Sequence, residues 1–253
     1  MHIDVLTAFP EFFVSPLATS MLKRALQKGL VCIQTHDLRA FAKDGQIDDY
    51  PYGGGAGMVI RIDVVVGALR HLQKQRDYNE IIYLTADGEP LTQRLLNRLS
   101  LQHALLLIAG HYKGIDDRIR HYVTREVSIG DYVLTGGEIP ALVLIDGIVR
   151  LLPGVLSDES SALEDSFQDD LLAPPVYTRP AEFEGLRVPD VLLSGNHQAI
   201  AQWRLEMSLQ RTQERRPYLI RAGDATPPPL KPDAASASPP SKIAPTSGEE
   251  APS

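Results

Sequence analysis

The chain has 253 residues and a formal net charge of −7, with 43% hydrophobic, 23% charged and 6% aromatic residues. Its length suits one or two domains, and its composition is that of a globular protein able to bury a core. The acidic balance argues against a general electrostatic binder of nucleic acids, and the single cysteine, Cys32, excludes a disulfide framework.

Two further features of the sequence concern partners and location. The N-terminus has neither the basic region nor the long apolar region of a signal peptide, and no apolar run reaches the ~20 residues of a membrane span. We therefore expect a cytoplasmic protein without a membrane partner. Residues 179–221 contain seven arginines and five acidic residues, so a local basic surface permits RNA binding without requiring it.

Short apolar runs and helical patterns alternate along residues 1–150. Runs rich in Ile, Val and Leu predict strands at 2–9, 30–36, 80–86, 104–110 and 125–129. Helical periodicity predicts helices at 16–28, 63–75, 92–100, 115–121 and 138–151. The strands show little polar alternation, which is typical of a parallel sheet covered by helices on both faces. Residues 1–156 are therefore predicted to form an α/β domain.

The composition changes twice after residue 156. Residues 157–168 are small, polar and acidic, which predicts a flexible interdomain linker. Residues 169–222 predict a small, mostly helical domain whose main helix spans 197–213. Residues 223–253 consist largely of Pro, Ala, Ser and Thr and contain too few large apolar side chains to form a core. We expect this tail to be disordered and to take no part in catalysis.

The segment DDYPYGGGAGM, residues 48–58, is the first candidate site. Its glycines at 53, 54, 55 and 57 tolerate positive φ and let another group approach the backbone closely. The segment is either a flexible loop or a cradle for a phosphate, nucleotide or base. It matches neither of the common glycine-rich motifs for dinucleotides and triphosphates, so those two ligand classes lack support.

Three later segments, 83–91, 109–116 and 128–141, each follow a predicted strand. In a parallel sheet such strand ends lie along one edge, where α/β proteins bind ligands. The glycines of these segments are turn formers taken singly, but together they favour a site whose backbone groups bind a nucleotide-like ligand. Asp165 and Arg150 are candidates for reaction chemistry, although spacing alone would make them a solvated acid and a helix-ending cation.

Six segments occur in order along the chain: PYGGGAGM, GHYKGIDDRI, SIGDYVLTGGEIPALVLIDGIVRLLPGVL, EDSF, YTRPAEFEGL and VPDVLLSGNH. Together they closely resemble the bacterial tRNA (guanine-37 N1) methyltransferase family. The resemblance covers residues 1–219. It implies a SPOUT-type α/β fold, in which the C-terminal part of the parallel-sheet domain forms a deep trefoil knot beside a small, mostly helical C-terminal domain.

The resemblance also implies an activity, the transfer of a methyl group from S-adenosyl-L-methionine to N1 of guanosine 37 in tRNA. It places the cofactor in the knot, against three groups of residues: Tyr83, Leu84, Thr85 and Ala86; Gly110, His111 and Tyr112; Ser128, Ile129, Gly130, Tyr132, Leu134, Gly136, Gly137 and Pro140. Lys113 stands where many members have Glu, which removes a carboxylate that could contact the cationic end of the cofactor.

Further implications concern catalysis and partners. The family forms an obligate antiparallel homodimer whose composite active site takes the cofactor from one subunit and the linker acid from the other. Asp165 matches the general base and Arg150 its partner. The RNA-facing positions are Asp48, Gly57, Arg179, Ser194, Asn196 and His197, of which His197 is equally well explained as a helix-starting residue.

Alternative functions stay open on the sequence. The chain could be a SPOUT methyltransferase acting on another RNA base or on a ribose 2′-OH, or a non-catalytic RNA-binding module on the same fold. A nicotinamide-dependent enzyme is disfavoured because no GxGxxG follows the first strand. Mg²⁺ is suggested by the family, but no dedicated cluster of metal ligands is visible, so we assign no metal site.

Overall fold

A computed structural model describes residues 1–156, 165–167 and 169–221. Most of the predicted linker, residues 157–164 and 168, and the predicted tail 223–253 lie outside the described residues. The strands are β1 (His2–Thr7), β2 (Cys32–Asp37), β3 (Asp48–Asp49), β4 (Val59–Ile60), β5 (Glu80–Pro90), β6 (Ala104–Ala109), β7 (Arg125–Ser128), β8 (Glu182–Phe183) and β9 (Leu186–Arg187). The α-helices are α1 (Val14–Leu17), α2 (Ser20–Gln27), α3 (Ile62–Gln73), α4 (Gln93–Ser100), α5 (Glu138–Val149), α6 (Asp190–Leu193), α7 (His197–Arg215) and α8 (Pro217–Arg221).

The five long predicted strands form one parallel sheet in the order β2-β1-β6-β5-β7. Every residue of the central strand β6 is buried, as its unbroken ALLLIA sequence predicts for a strand covered on both faces. One apolar cluster joins α2, α4 and α5 to one face, and a second joins α3 to the other. The predicted mixed α/β architecture with a parallel sheet is confirmed.

Helix α5 follows the last of the three predicted ligand-binding segments and packs against α2, α4, β1 and β6. Its predicted apolar stripe is fully buried at Ala141, Leu144, Ile145, Ile148 and Val149. The opposite side is mixed, because Ile139 and Val143 remain 45% and 43% exposed and the exposed Asp146 lies on the same side of the helix.

Two predicted helices are wrong in detail. The helix expected over 16–28 is split into α1 and α2, because Ser20 adopts a left-handed φ of 49° and Thr19 is extended. The segment 115–121 forms a short 3-10 helix, Asp117–His121, rather than an α-helix. Its start is fixed by the Asp116 carboxylate, which accepts a hydrogen bond from the Arg118 backbone N–H at 3.0 Å.

Strand β5 is longer than the predicted strand at 80–86, because it continues beyond a bulge. Both Leu84 and Glu89 pair with Val127 of β7, so the residues between them leave the sheet and return to it. Gly88 makes this possible, since a β-carbon there would lie 2.6 Å from the Val127 backbone nitrogen. The bulge forms a loop at the edge of the sheet where the predicted site lies.

Residues 169–221 contain α6, α7, α8 and the antiparallel pair β8–β9. Only Ser208 and Thr212 of the long helix α7 are buried. Large apolar side chains of this segment stay exposed: Val176, Tyr177, Phe183, Leu186, Leu193, Leu205, Leu209 and Ile220. No helix among the described residues is long and apolar enough to cross a membrane.

Candidate active site

An open cavity with a volume of about 190 Å³ lies at the carboxyl ends of β5, β6 and β7. The structure brings every predicted cofactor position to its wall: Tyr83, Leu84, Thr85, Ala86, Gly110, His111, Tyr112, Ser128, Ile129, Gly130, Tyr132, Leu134, Gly136, Gly137 and Pro140. The three strand ends therefore meet at one edge, as expected for a parallel sheet.

The first wall is the bulge of β5. The Thr85 hydroxyl donates to the Asp87 carboxylate at 2.6 Å, and Arg120 pairs with the same carboxylate at 2.7 Å. The hydrogen bond from Thr85 lowers the pKa of Asp87; burial opposes this effect, and Arg120 adds to it. These contacts hold an otherwise exposed loop in one conformation.

Tyr83 forms a buried part of the cavity wall. Its side chain is buried, and its hydroxyl accepts a hydrogen bond from the Ile115 backbone N–H at 3.3 Å. Burial raises the pKa of this hydroxyl, so Tyr83 stays neutral at physiological pH. The ring therefore contributes an apolar surface rather than a charge.

The second wall consists of residues 110–114, and the third consists of residues 127–130 and 132–137. These two walls are joined through their backbones. The Gly137 N–H donates to the Gly110 carbonyl at 2.6 Å, and His111 and Gly136 form an antiparallel bridge. A β-carbon at Gly137 would lie 2.8 Å from the Ala109 Cα, so only glycine permits this approach. The paired glycines of the GGE sequence thus close the cavity.

Lys113 connects the glycine-rich loop to the cavity. It lines the cavity, and its backbone N–H donates to the Met58 carbonyl at 3.1 Å. Gly57 has a φ of +91°, and a β-carbon there would lie 3.1 Å from the Lys113 Cγ. Among the described residues no carboxylate pairs with the Lys113 ammonium group. The glycine-rich loop therefore lies next to the cavity, because Lys113 contacts the loop and also lines the cavity.

Arg150 and Asp165 form an ion pair at the other end of α5. Both side chains are about two-fifths exposed, and neither lines the cavity. Helix α5 has 12 residues and starts at the cavity, so its far end lies roughly 18 Å away at 1.5 Å per residue. Within one chain, the predicted base and the predicted cofactor site are separated by the length of this helix.

The predicted RNA-facing residues lie in two places, and none of them lines the cavity. Asp48 is in β3, close to the glycine-rich loop that contains Gly57. Arg179 precedes Pro180 through a cis peptide bond. The side chains of the SGNH segment have structural contacts: Ser194 donates to the Val191 carbonyl at 2.7 Å, and Asn196 accepts from the Ala199 N–H at 3.1 Å.

His197 is exposed and is the first residue of α7, so the structure keeps both interpretations of it open. It starts the helix that Asn196 caps, which the structural interpretation requires. Its exposed ring also leaves it accessible to RNA, which the functional interpretation requires.

Sequence reasoning missed several residues around the cavity. Val127, Val133 and Thr135 complete its wall, and the contiguity of the segment 127–137 could have suggested them. Glu138 was also missed. It is 2% exposed, and its carboxylate accepts from the Thr7 hydroxyl at 2.9 Å. An acidic residue directly after two glycines, at the start of a mostly apolar helix, is the signal that could have singled it out.

The chemistry of the cavity suits an adenosyl cofactor. Glycine-bearing segments of three loops line it, and backbone N–H and C=O groups are able to bind the edge of an adenine. The apolar side chains of Leu84, Ile129, Leu134 and Pro140 provide surfaces for the ring. Among the described residues no group of three or more His, Cys, Asp or Glu side chains could hold a metal ion.

The fold and the cavity together define a class of protein. A parallel α/β sheet with glycine-bearing loops at the carboxyl ends of adjacent strands is the arrangement in which α/β proteins bind nucleotide-like ligands. Comparison with known proteins narrows this class to one family.

The family model described as tRNA (Guanine-1)-methyltransferase TrmD matches residues 1–222. The chain is 52% identical over 223 residues to a Flavobacterium psychrophilum protein named tRNA (guanine-N(1)-)-methyltransferase, covering 87% of this chain and 99% of that protein. Proteins of the same name from Porphyromonas gingivalis and Bacteroides fragilis are each 52% identical; both alignments cover 87% of this chain, and they cover 100% and 99% of those proteins. The chain belongs to the tRNA (guanine-1)-methyltransferase family, which confirms the resemblance found in the sequence.

Proposed function

We propose that this protein transfers a methyl group from S-adenosyl-L-methionine to N1 of guanosine 37 in tRNA. Family membership over residues 1–222 supports the reaction type and the RNA substrate. The observation that carries the proposal is that every predicted cofactor position lines one cavity, while the predicted base and its arginine form a second, paired unit.

The cavity would hold the cofactor through the backbones of its three loops. Gly110, Gly136 and Gly137 bring those backbones together, and Tyr83 supplies an apolar support. The bound cofactor supplies an electrophilic methyl group on a sulfonium. The protein has to orient that group, exclude water from it and deliver a guanine whose N1 can attack.

Asp165 is proposed as the general base. Guanine N1 carries a proton, and it becomes an effective nucleophile only when that proton is lost. The Asp165 carboxylate accepts the proton, a contribution typically worth ~10²–10⁴-fold in rate. As the proton leaves, negative charge spreads to O6 of the guanine, where the Arg150 guanidinium stabilises it. In the free protein Arg150 pairs with Asp165 and holds its carboxylate in place.

We propose a homodimer with a composite site. Asp165 lies the length of α5 from the cavity of its own chain, so a base within reach of the cofactor has to come from a second copy. The exposed Ile139 and Val143 of α5 and the exposed apolar side chains of residues 169–221 give such a copy a surface to cover. An isologous dimer would bring each Asp165 to the cavity of its partner.

The finer architecture is also proposed from family membership. The SPOUT-type trefoil knot would comprise the three cavity loops and α5, which starts at the cavity and packs against β6 and β1. The chain would divide into an α/β cofactor domain at 1–156, a linker at 157–168, a small RNA-binding domain at 169–222 and a tail at 223–253. Its location would be cytoplasmic, where unmodified tRNA is found.

Product analysis tests the proposed function. Radiolabelled S-adenosyl-L-methionine is incubated with the full-length protein and unmodified tRNA that has guanosine at position 37, and the modified nucleoside is then identified by mass spectrometry. We expect N1-methylguanosine at position 37. A 2′-O-methyl product or a different position would contradict the substrate assignment, and tRNA binding without transfer would favour a non-catalytic RNA-binding module.

The variant Asp165→Ala tests the role of the base. We expect methyl transfer to fall by at least ~10²-fold because no other group accepts the N1 proton. Cofactor affinity, measured by calorimetry, should remain near that of the wild type, since Asp165 does not line the cavity. Loss of cofactor affinity in this variant would contradict the assignment.

A further inference from the structure

Glu138 is a buried acid that the proposed mechanism does not use. It is the first residue of α5 and is 2% exposed. A buried carboxylate is costly unless it is hydrogen-bonded, and Glu138 has two side-chain partners. The Thr7 hydroxyl donates to Oε1 at 2.9 Å, and His111 Nδ1 lies 3.3 Å from Oε2. The helix N-terminus also favours a negative charge at this position.

The contact with Glu138 determines which nitrogen of His111 carries the proton. An ionised carboxylate can only accept hydrogen bonds, so Nδ1 must carry the hydrogen that it donates to Glu138. In a neutral imidazole, Nε2 is then an acceptor. Among the described residues Nε2 has no hydrogen-bond partner, and the side chain, which is 18% exposed, lines the cavity.

Other contacts hold the His111 ring in this orientation. Phe9 packs against it with ring centroids 4.5 Å apart, and Tyr112 meets it edge-on at 5.1 Å. Gly136 lies beneath the Glu138–His111 contact, and a β-carbon there would collide with both groups. The glycine, the acid and the histidine thus form one unit at the joint between two cavity walls.

We propose that Glu138 is a positioning residue for the cofactor site, which sets the His111 tautomer so that Nε2 accepts a hydrogen bond from an N–H or O–H group of the adenosyl cofactor. This inference rests on the proposed function, because it names a contact within the same cavity. Glu138 touches no substrate itself and acts through His111. Buried acids that orient a histidine in this way are a recurring means of fixing its tautomer.

The variant Glu138→Gln tests this inference with little change in volume. A glutamine can donate its amide N–H to Nδ1, which moves the imidazole hydrogen to Nε2 and turns the acceptor into a donor. We expect affinity for S-adenosylhomocysteine, measured by calorimetry, to fall about tenfold, the equivalent of one hydrogen bond of ordinary strength. Long-range ¹H–¹⁵N NMR spectra of the histidine side chains report the tautomer directly.

Thr7→Val is the matched control. It removes the other hydrogen bond to the same carboxylate and the one that the Phe9 N–H donates to the Thr7 hydroxyl at 2.9 Å. It should therefore lower stability at least as much as Glu138→Gln while leaving the His111 tautomer and the cofactor affinity near those of the wild type. A purely structural role of Glu138 would make both variants lose affinity together. That result would overturn the inference.

The wild-type protein gives a second, independent reading. Without ligand, His111 should have its hydrogen on Nδ1, and the ¹⁵N shift of Nε2 should change when S-adenosylhomocysteine binds. A hydrogen on Nε2 or an unchanged Nε2 shift would contradict the inference even if Glu138→Gln fails to fold. Failure of the proposed function is distinguishable. If the cavity were not a cofactor site, the wild type would bind no S-adenosylhomocysteine, and if only the tRNA target were wrong, cofactor binding would persist and the product analysis alone would change.

Discussion

Asp4 illustrates how a single residue can make stability depend on pH. It lies in β1 with 3% of its surface exposed, and its carboxylate contacts His36 Nε2 at 2.7 Å, the Tyr78 hydroxyl at 2.8 Å and Arg76 Nε at 3.4 Å. Burial by itself would raise the pKa of Asp4. The hydrogen bonds from His36 and Tyr78 and the charges of His36 and Arg76 outweigh burial, so the pKa is lowered. Burial and the contact with Asp4 raise the pKa of Tyr78, which remains a hydrogen-bond donor.

Asp4 should therefore stabilise the fold above acidic pH. Its pKa is lower in the folded state than in the unfolded chain, where it is ~3.9, so the stabilisation is complete above that value and is lost as the pH falls through the folded-state pKa. We expect Asp4→Asn to lose ~1–3 kcal/mol at pH 7 and to show a shallower loss of stability between about pH 5 and pH 2. Urea unfolding across this range measures both effects. The exposed Asp131→Asn is the control, and equal pH slopes for Asp4→Asn and the wild type would contradict the assignment.

At the scale of the element, the bulge of β5 depends on one close approach. Gly88 lies against the backbone of β7, and an added β-carbon would be 2.6 Å from the Val127 nitrogen and 2.7 Å from the Glu126 carbonyl carbon. These neighbours are backbone atoms in the sheet, so they cannot move aside as a flexible side chain would. The loop that carries Thr85 and Ala86 to the cavity is thereby tied to the edge strand.

A pair of identical substitutions tests this close approach. Gly88→Ala should destabilise the protein by ~1–3 kcal/mol through overpacking against the sheet and should also weaken cofactor binding. Gly67→Ala, in α3 with nothing within 4 Å of its added β-carbon, should stabilise the protein by ~0.5–1 kcal/mol because alanine is the better helix former. Thermal unfolding measures the difference. If both variants changed stability equally, the proposed clash would be wrong.

The C-terminal end of α7 carries a second feature at this scale. Arg211, Arg215 and Arg216 line a depression together with Ser166 and Phe167, which follow Asp165 in the chain. No carboxylate pairs with these arginines among the described residues, and the buried Arg211 Nε has no hydrogen-bond partner there. Guanidinium groups bind phosphates well, so this cluster is suited to hold the tRNA backbone beside the base.

The salt dependence of tRNA binding tests the arginine cluster. Each phosphate contact contributes ~0.7–0.9 to the slope of log K against log salt concentration. We expect the double variant Arg211→Gln/Arg215→Gln to reduce this slope by ~1–2, as measured by filter binding. Arg70→Gln, an exposed arginine of α3, is the matched control. A slope unchanged from that of the wild type would exclude these arginines from the RNA-binding surface.

At the scale of the whole molecule, the distance between the two parts of the proposed site is the reason for proposing a homodimer. The cavity and the Arg150–Asp165 pair lie at opposite ends of α5. A single copy would therefore have the proposed cofactor site without the proposed base within reach, and the exposed apolar side chains of α5 and of residues 169–221 would stay uncovered. Two copies related by a two-fold axis would resolve both deficiencies at once.

Subunit complementation tests the composite site. Asp165→Ala removes the base, and Gly137→Ala blocks the cavity where its walls meet; each variant alone should be inactive. Co-expressed in equal amounts, they form mixed dimers in about half of cases, each with one intact site, so about a quarter of wild-type transfer activity should return. If the base acted within its own chain, mixing would restore no activity.

Much of the fold could be predicted from local patterns, and the exceptions have identifiable causes. The five strands followed from unbroken apolar runs, and the buried stripe of α5 followed from its periodicity. The split at Ser20 did not, because it depends on a left-handed φ that a serine rarely adopts. The bulge between Leu84 and Glu89 did not either, because it depends on pairing with Val127 of another strand. The buried hydrogen bond of Glu138 was missed because its partner Thr7 is 131 positions away.

The sequence by itself determined the α/β class, the parallel sheet and the family. Hydrophobic periodicity and the six motifs that occur in order can be read from the sequence without knowing how the elements pack. It also identified the residues that line the cavity, but only through resemblance. The tertiary structure alone decided that Lys113 lies against the glycine-rich loop and that Asp165 lies far from the cavity of its own chain. These are distances between residues remote in sequence. They depend on how the helices and strands pack together and not on the local conformational propensity of each segment.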